Sequence, residues 1–258
     1  MGVRLLIGAQ NQQLYNNLDW EKSCVAFAQG DLKYPNYYNQ DFHGIEGGYL
    51  TPVAAVTYDA VTAWASPPNE TWLRHQLIKQ IAGQPERILD LGCGTGSTTI
   101  LLKQAFPQAE VIGLDLSPYM LVMADRKAQQ ANERIQWAQG VAEATGLEAD
   151  SFDLVTASML FHELPPSKSR AVLREALRLC QPGGQMLVLD GNQKRLRRLQ
   201  RLTQLFREPY SQMYAAESVE TWMQSMGYDT LPTQYLGWIH QINAGFKPLT
   251  DHCDKYPQ

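Results

Sequence analysis

Cysteine is scarce and scattered. Four residues, Cys24, Cys93, Cys180 and Cys253, are spread over 258 positions, and none forms the C-x-x-C pair that metal and redox sites use. A disulfide framework is therefore not expected, and the spacing predicts a reduced, cytoplasmic protein. Long apolar runs are missing as well. Leu5, Leu6 and Ile7 are too few for a signal peptide or a membrane span, and no other segment approaches bilayer length. Nor is there an excess of one charge: 22 basic residues face 26 acidic ones, a net charge of -4. That balance gives no electrostatic argument for nucleic acid as a partner and leaves a small molecule as the expected one. No internal repeat is visible.

With 44% hydrophobic residues, the chain can bury a full core, and its length fits one α/β domain with an added N-terminal segment. The most informative stretch is LDLGCGTG, Leu89 to Gly96. Ile88, Leu89 and Leu91 read as a buried parallel strand, and Thr98 to Phe106 continues with helical spacing. Between them Gly92, Gly94 and Gly96 allow a tight turn whose amides are open to an anionic or polar ligand. A dinucleotide fingerprint would need glycine at position 97, where this chain has Ser97. Asp90 at the strand end would repel a pyrophosphate, but its carboxylate can accept from a ligand ammonium or an intervening water.

Strand-like and helix-like stretches then alternate, the pattern of a parallel sheet covered on both faces. Strands are expected at Arg87–Leu91, Val111–Asp115, Ile135–Gln139, Asp153–Ser158 and Gln185–Asp190. Glu217 to Met226 has helical spacing with Gly227 as its stop. Thr230 to Leu236 and Gly237 to Lys247 read as two strands of an antiparallel hairpin. Ser66, Pro67, Pro68 and Asn69 form the clearest linker, dividing residues 1–66 from a core of 67–258.

The segments ILDLGCGTG, VIGLDLSPYML from Val111, FDLVTASMLFHELP from Phe152 and QPGGQMLVLD from Gln181 stand in this order. Together they resemble the class I S-adenosylmethionine-dependent methyltransferases of small molecules, over roughly residues 85 to 247. The resemblance implies a doubly wound, Rossmann-like α/β fold. Its sheet would have seven mostly parallel strands with an antiparallel last strand, and residues 1–66 would form a helical lid that shapes the acceptor site. It implies S-adenosyl-L-methionine as cofactor, with Asp90, Gly92, Gly94, Gly96, Asp115, Leu116, Val141 and Ala142 as binding residues. Asp115 ends the second strand, where a carboxylate can accept from both ribose hydroxyls. It can equally cap the helix that Ser117 and Pro118 begin. Where relatives carry Gly-Asp-Ala, this chain has Gly140, Val141, Ala142 and Glu143. The acidic adenine contact is expected to be absent, with Val141 and Leu116 packing on the ring or serving as core.

His162, beyond the fourth strand, is the leading candidate base near neutral pH, or else shapes the pocket. In-line methyl transfer to a small-molecule acceptor needs positioning and desolvation more than a covalent nucleophile. Phe42, His43, Tyr49 and Phe161 are expected at the acceptor. Asp41 to Tyr49 mixes aromatics, titratable groups and glycines in a way that suits a closing lid or a surface loop. No catalytic metal is expected, since Ser158 and Met159 stand where some relatives place a metal-binding carboxylate. Lys194 to Arg207 reads as a basic amphipathic helix, either packed on the domain or touching a membrane surface peripherally. Two other functions fit the residues: a cofactor-binding protein without catalysis, and a nicotinamide-dependent oxidoreductase.

Overall fold

The computed structural model describes residues 15–30, 32–42, 45–65, 69–198 and 209–249. Its frame is one eight-stranded sheet. The strands are β1 (Arg87–Leu91), β2 (Glu110–Asp115), β3 (Gln136–Gln139), β4 (Phe152–Ser158), β5 (Cys180–Gly191), β6 (Asp229–Thr230), β7 (Gln234–Leu236) and β8 (His240–Phe246). They lie in the order β3-β2-β1-β4-β5-β8-β6, with β7 also paired to β8. Strands β1 to β5 pair in parallel, and β8 runs antiparallel to β5, β6 and β7. β1 is buried from Ile88 to Leu91 because helices cover both of its faces.

The five parallel strands fall where the apolar runs place them. The C-terminal hairpin differs: the expected strand from Thr230 to Leu236 is split into β6 and β7. Pro232 lies in the gap, and without an amide proton it cannot continue the ladder.

Strand order reverses between β1 and β4, so their carboxyl ends open the crevice where doubly wound sheets hold ligands. Around the sheet lie α1 (Trp20–Val25), α2 (Pro52–Ala65), α3 (Glu70–Ile78), α4 (Ser97–Ala105), α5 (Pro118–Gln130), α6 (Pro166–Leu179), α7 (Gln193–Leu196), α8 (Ser211–Ala216) and α9 (Val219–Ser225). Ser117 caps α5 by accepting from the Met120 amide, with Pro118 in the first turn. Its hydroxyl also donates to the Tyr49 carbonyl at 2.7 Å, tying α5 to the N-terminal segment.

Among the described residues, that segment packs against α5. Trp20, Phe42, Tyr49, Ala54 and Val56 pack with Met120, Val122 and Met123 of α5. Asp59 of α2 accepts from Thr95 at 2.5 Å and pairs with Lys127 at 2.6 Å, joining α2 to the glycine loop and to α5. Of the basic stretch 194–207, residues 194–198 are described and the rest lies outside. Among the described residues, no helix is long and apolar enough to cross a membrane.

Gly96 begins α4 in the left-handed region, at φ 77°. A Cβ there would lie 2.7 Å from the Trp137 ring and 3.0 Å from the Ala124 Cβ. Gly96→Ala is expected to cost about 2–4 kcal/mol, from left-handed strain plus overpacking. Chemical denaturation would read this, and a loss below about 0.5 kcal/mol would mean that the loop relaxes freely.

Candidate active site

The crevice at the carboxyl ends of β1, β2 and β4 holds two adjoining lobes. Tyr38, Gly92, Asp115 and Leu160 line both. The first lobe continues past Leu116, Gly140 and Ala142 to Glu143. The second continues past Gly94 to Tyr49, Tyr58 and Glu163.

Asp115 is the hinge between them. One of its oxygens accepts from the Gly94 amide at 2.8 Å and the other from the Ser117 amide at 2.8 Å. The carboxylate therefore shapes the glycine loop while facing the cleft. Burial pushes its pKa up to about 6, with Glu163 adding to the rise and the two amide bonds opposing it. Gly92 is at φ 65°, and a Cβ there would meet the Leu160 side chain at 2.7 Å. Gly94 is also left-handed, at φ 53°, with only the Tyr58 ring near its Cβ position, at 3.6 Å. The cleft wall is thus bare backbone at both glycines.

Asp90 is placed differently. It is buried below the loop, one oxygen accepting from Thr99 and the other from Thr156, each at 2.7 Å. Burial raises its pKa. It lines neither lobe, and its carboxylate is satisfied by hydroxyls from α4 and β4. Gly96 likewise lies beyond the lobes at the start of α4. Leu116 and Ala142 line the first lobe, whereas Val141 forms an isolated bridge with Ala144.

Glu143 brings an acid back into the first lobe, three residues after Gly140. Tyr37 donates to both of its oxygens, at 2.9 and 2.8 Å, and Lys168 pairs with it at 3.1 Å. Sequence spacing alone missed this group, because only the turn after β3 aims it at the cleft.

The second lobe is roofed by aromatics. Phe42 stacks on Tyr49 at 5.0 Å, and Tyr49 meets Tyr58 edge-on at 5.8 Å. Tyr49 donates to Glu163 at 2.5 Å. Burial is the main cause that lifts the Tyr38, Tyr49 and Tyr58 hydroxyls well above the usual phenol range, so all three stay neutral. Of the expected acceptor residues, Tyr49 lines the lobe and Phe42 supports it from the core. His43 lies outside the described residues. Phe161 is fully buried in the main core below, because the chain turns into a 3-10 turn (Phe161–Glu163) directly after β4.

His162 reaches the cleft through Glu163. Its Nδ1 lies 2.7 Å from Asp190 Oδ1, and its Nε2 lies 3.9 Å from Glu163 Oε1. Asp190, at the end of β5, also accepts from the amides of Phe161 at 2.7 Å and Gly191 at 2.6 Å. An ionised carboxylate only accepts, so the Nδ1 proton faces Asp190 and Nε2 turns to Glu163. His240 lies on the far side, its pKa lowered to about 4 by burial, which keeps it neutral.

The sheet order and the crevice give a Rossmann-like fold of the methyltransferase type. Residues 88–184 match the family described as a methyltransferase domain. Over 159 residues it is 35% identical to the demethylmenaquinone methyltransferase of Lactiplantibacillus plantarum, covering 60% of this chain and 65% of that one. Over 134 residues it is 35% identical to the malonyl-[acyl-carrier protein] O-methyltransferase of Hahella chejuensis, covering 52% and 45%. The chain spans about half to two thirds of the length of the first curated relatives it matches. Its fold is shared with phosphoethanolamine N-methyltransferase 2 of Haemonchus contortus in complex with S-adenosyl-L-methionine. That match has a TM-score of 0.62 at 15% identity and covers 86% of this chain and 61% of that one.

Proposed function

We propose that this protein transfers a methyl group from S-adenosylmethionine to a small-molecule acceptor by in-line displacement, without a metal. The observation that carries the reading is Asp115, which faces the cleft while its two oxygens order Gly94 and Ser117. The residues fit the cofactor. The bare backbone at Gly92 and Gly94 admits the methionine portion, Asp115 accepts from the ribose hydroxyls, and the lobe from Leu116 to Glu143 takes the adenine. Bound there, the cofactor supplies a methyl group already activated on a sulfonium.

The chain's own residues do the rest. Tyr38, Tyr49 and Tyr58 exclude water and turn aromatic surface towards the cationic centre. Glu163 takes the proton that the acceptor loses. Tyr49 fixes one of its oxygens, and His162, oriented by Asp190, offers Nε2 as the next proton acceptor. His162 thus acts from behind the carboxylate that lines the lobe.

Titration calorimetry with S-adenosylmethionine, S-adenosylhomocysteine and NADH tests the cofactor. Both sulfur compounds are expected to bind and NADH to give no heat; NADH binding alone would overturn the reading. Methyl-labelled cofactor with a panel of acceptors, read by product mass, tests turnover. Glu163→Gln is expected to slow turnover about a hundredfold or more, the usual worth of a general base, with cofactor affinity little changed. Unaltered turnover would remove Glu163 from the mechanism.

Asp115 also sets a pH dependence. In the free protein its pKa is raised to about 6, so the native state holds a proton there more tightly than the unfolded chain. Its contribution to folding is present at acid pH and lost as pH rises through about 6. Ribose hydroxyls donate to the charged form, so binding favours ionisation and has the opposite sign. Cofactor affinity is expected to fall as pH drops below about 6, by up to about tenfold per unit. Asp115→Asn should flatten this profile, whereas an unchanged slope would take the titration away from Asp115.

A further inference from the structure

Two exposed aromatics of the C-terminal sheet corner have no place in the methyl-transfer chemistry. Trp238 is 64% exposed and Tyr235 46%, on β7 and the turn that leads into β8. Cations stand next to the two rings. Lys194 Nζ lies 5.1 Å from the centre of the Tyr235 ring, and the Arg195 guanidinium lies 6.0 Å from that of Trp238. Residues 194–198 carry Lys194, Arg195, Arg197 and Arg198, all exposed and with no acid among them, on a chain whose net charge is -4.

The patch is held in place. Gly237 makes the β7–β8 turn at φ 53°. The Asn192 amide donates to the Ile239 carbonyl at 2.7 Å, clamping the turn to the start of α7. His240 pairs with Gly191, the last residue of β5. The turn therefore lies at the carboxyl edge of the parallel strands, the edge where the crevice opens.

We propose that this corner docks on an anionic lipid surface, with Trp238 and Tyr235 at headgroup level and the cations of 194–198 against lipid phosphates. Indole and phenol rings with a polar tip, flanked by cations that shed little apolar cover, suit the interface between water and acyl chains. Among the described residues these cations form one short cluster, 194–198, rather than a groove that tracks a strand, which disfavours nucleic acid, although stacking on the same rings would otherwise suit it. Docking at this edge would set the cleft close to lipophilic compounds held in the membrane. The inference is independent of the methyl-transfer reading, because the patch shares no residue with the lobes.

The test is co-flotation of the full chain with vesicles of phosphatidylcholine alone, and of phosphatidylcholine mixed with phosphatidylglycerol, at low and high salt. Binding is expected only to the mixed vesicles and should weaken with salt. Each cation near an anionic surface is worth about fivefold in partition. Lys194→Glu combined with Arg195→Glu should therefore lower partition at least tenfold. Trp238→Ala with Tyr235→Ala should lower it several-fold, at unchanged circular dichroism and cofactor affinity. Equal binding to both vesicles, no flotation, full binding by both double variants, or capture by a single-stranded oligonucleotide in place of vesicles would each overturn the proposal.

Discussion

Replacing Asp115 by alanine is expected to weaken S-adenosylmethionine binding about a hundredfold or more while leaving the fold intact. A hydrogen bond to a charged group is worth about 1.5–3 kcal/mol, and two ribose hydroxyls would lose their acceptor together. The substitution also frees the Gly94 and Ser117 amides, so the loop loses part of the order that binding exploits. Stability responds to two opposed effects. Burial raises the Asp115 pKa to about 6, so at neutral pH alanine removes a buried charge, but it also leaves two amides without their acceptor. The apo melting temperature is therefore expected to change far less than the affinity. Calorimetry and thermal melting on the same sample read both, and affinity within threefold of the parent would refute the ribose assignment.

The largest loss of stability is expected from Arg74→Met. Arg74 and Glu70 form a buried ion pair within α3, and Arg74 also donates to Thr98 in the helix that follows the glycine loop. Glu70 keeps the Thr62 hydroxyl at 2.8 Å, but removing Arg74 leaves it a buried charge without a cation. Breaking such a pair from one side costs about 3–5 kcal/mol, because desolvation of the remaining ion is no longer offset. For a domain of this size, that lowers the melting temperature by about 2–4 °C per kcal/mol. The double variant Glu70→Gln with Arg74→Met is expected to recover much of the loss. If the single variant melts within a degree or two of the parent, water reaches the pair.

Much of the fold was legible because parallel strands covered on both faces are mostly apolar, as Ile88, Leu89 and Leu91 and Leu154, Val155 and Ala157 are, with Asp90 and Thr156 buried through their mutual hydrogen bond. The split of β6 from β7 was written in Pro232 but hidden by the apolar residues around it. Gly92, Gly94 and Asp115 could be placed at the crevice from local sequence, since a strand end and a turn fix them. Groups whose role depends on distant partners could not. Asp90 looks like a ligand-facing acid until Thr99 and Thr156 take up both oxygens. Phe161 and Glu163 are two residues apart, yet a 3-10 turn sends one into the core and the other into the cleft. The meeting of His162 with Asp190 required β5 to lie beside β4.

Two contacts from the N-terminal stretch bracket the whole crevice: Tyr37 grips Glu143 at one end, and Tyr49 grips Glu163 at the other. A single run of thirteen residues, Tyr37 to Tyr49, thus touches both the end of the cleft proposed for the purine and the end proposed for the acceptor. Grafting another protein's N-terminal stretch onto this sheet, as a route to a new acceptor, would exchange both grips at once. Under the proposed reading, selectivity for donor and for acceptor is inherited as one unit, and changing the second alone calls for point substitutions around Tyr49 and Tyr58.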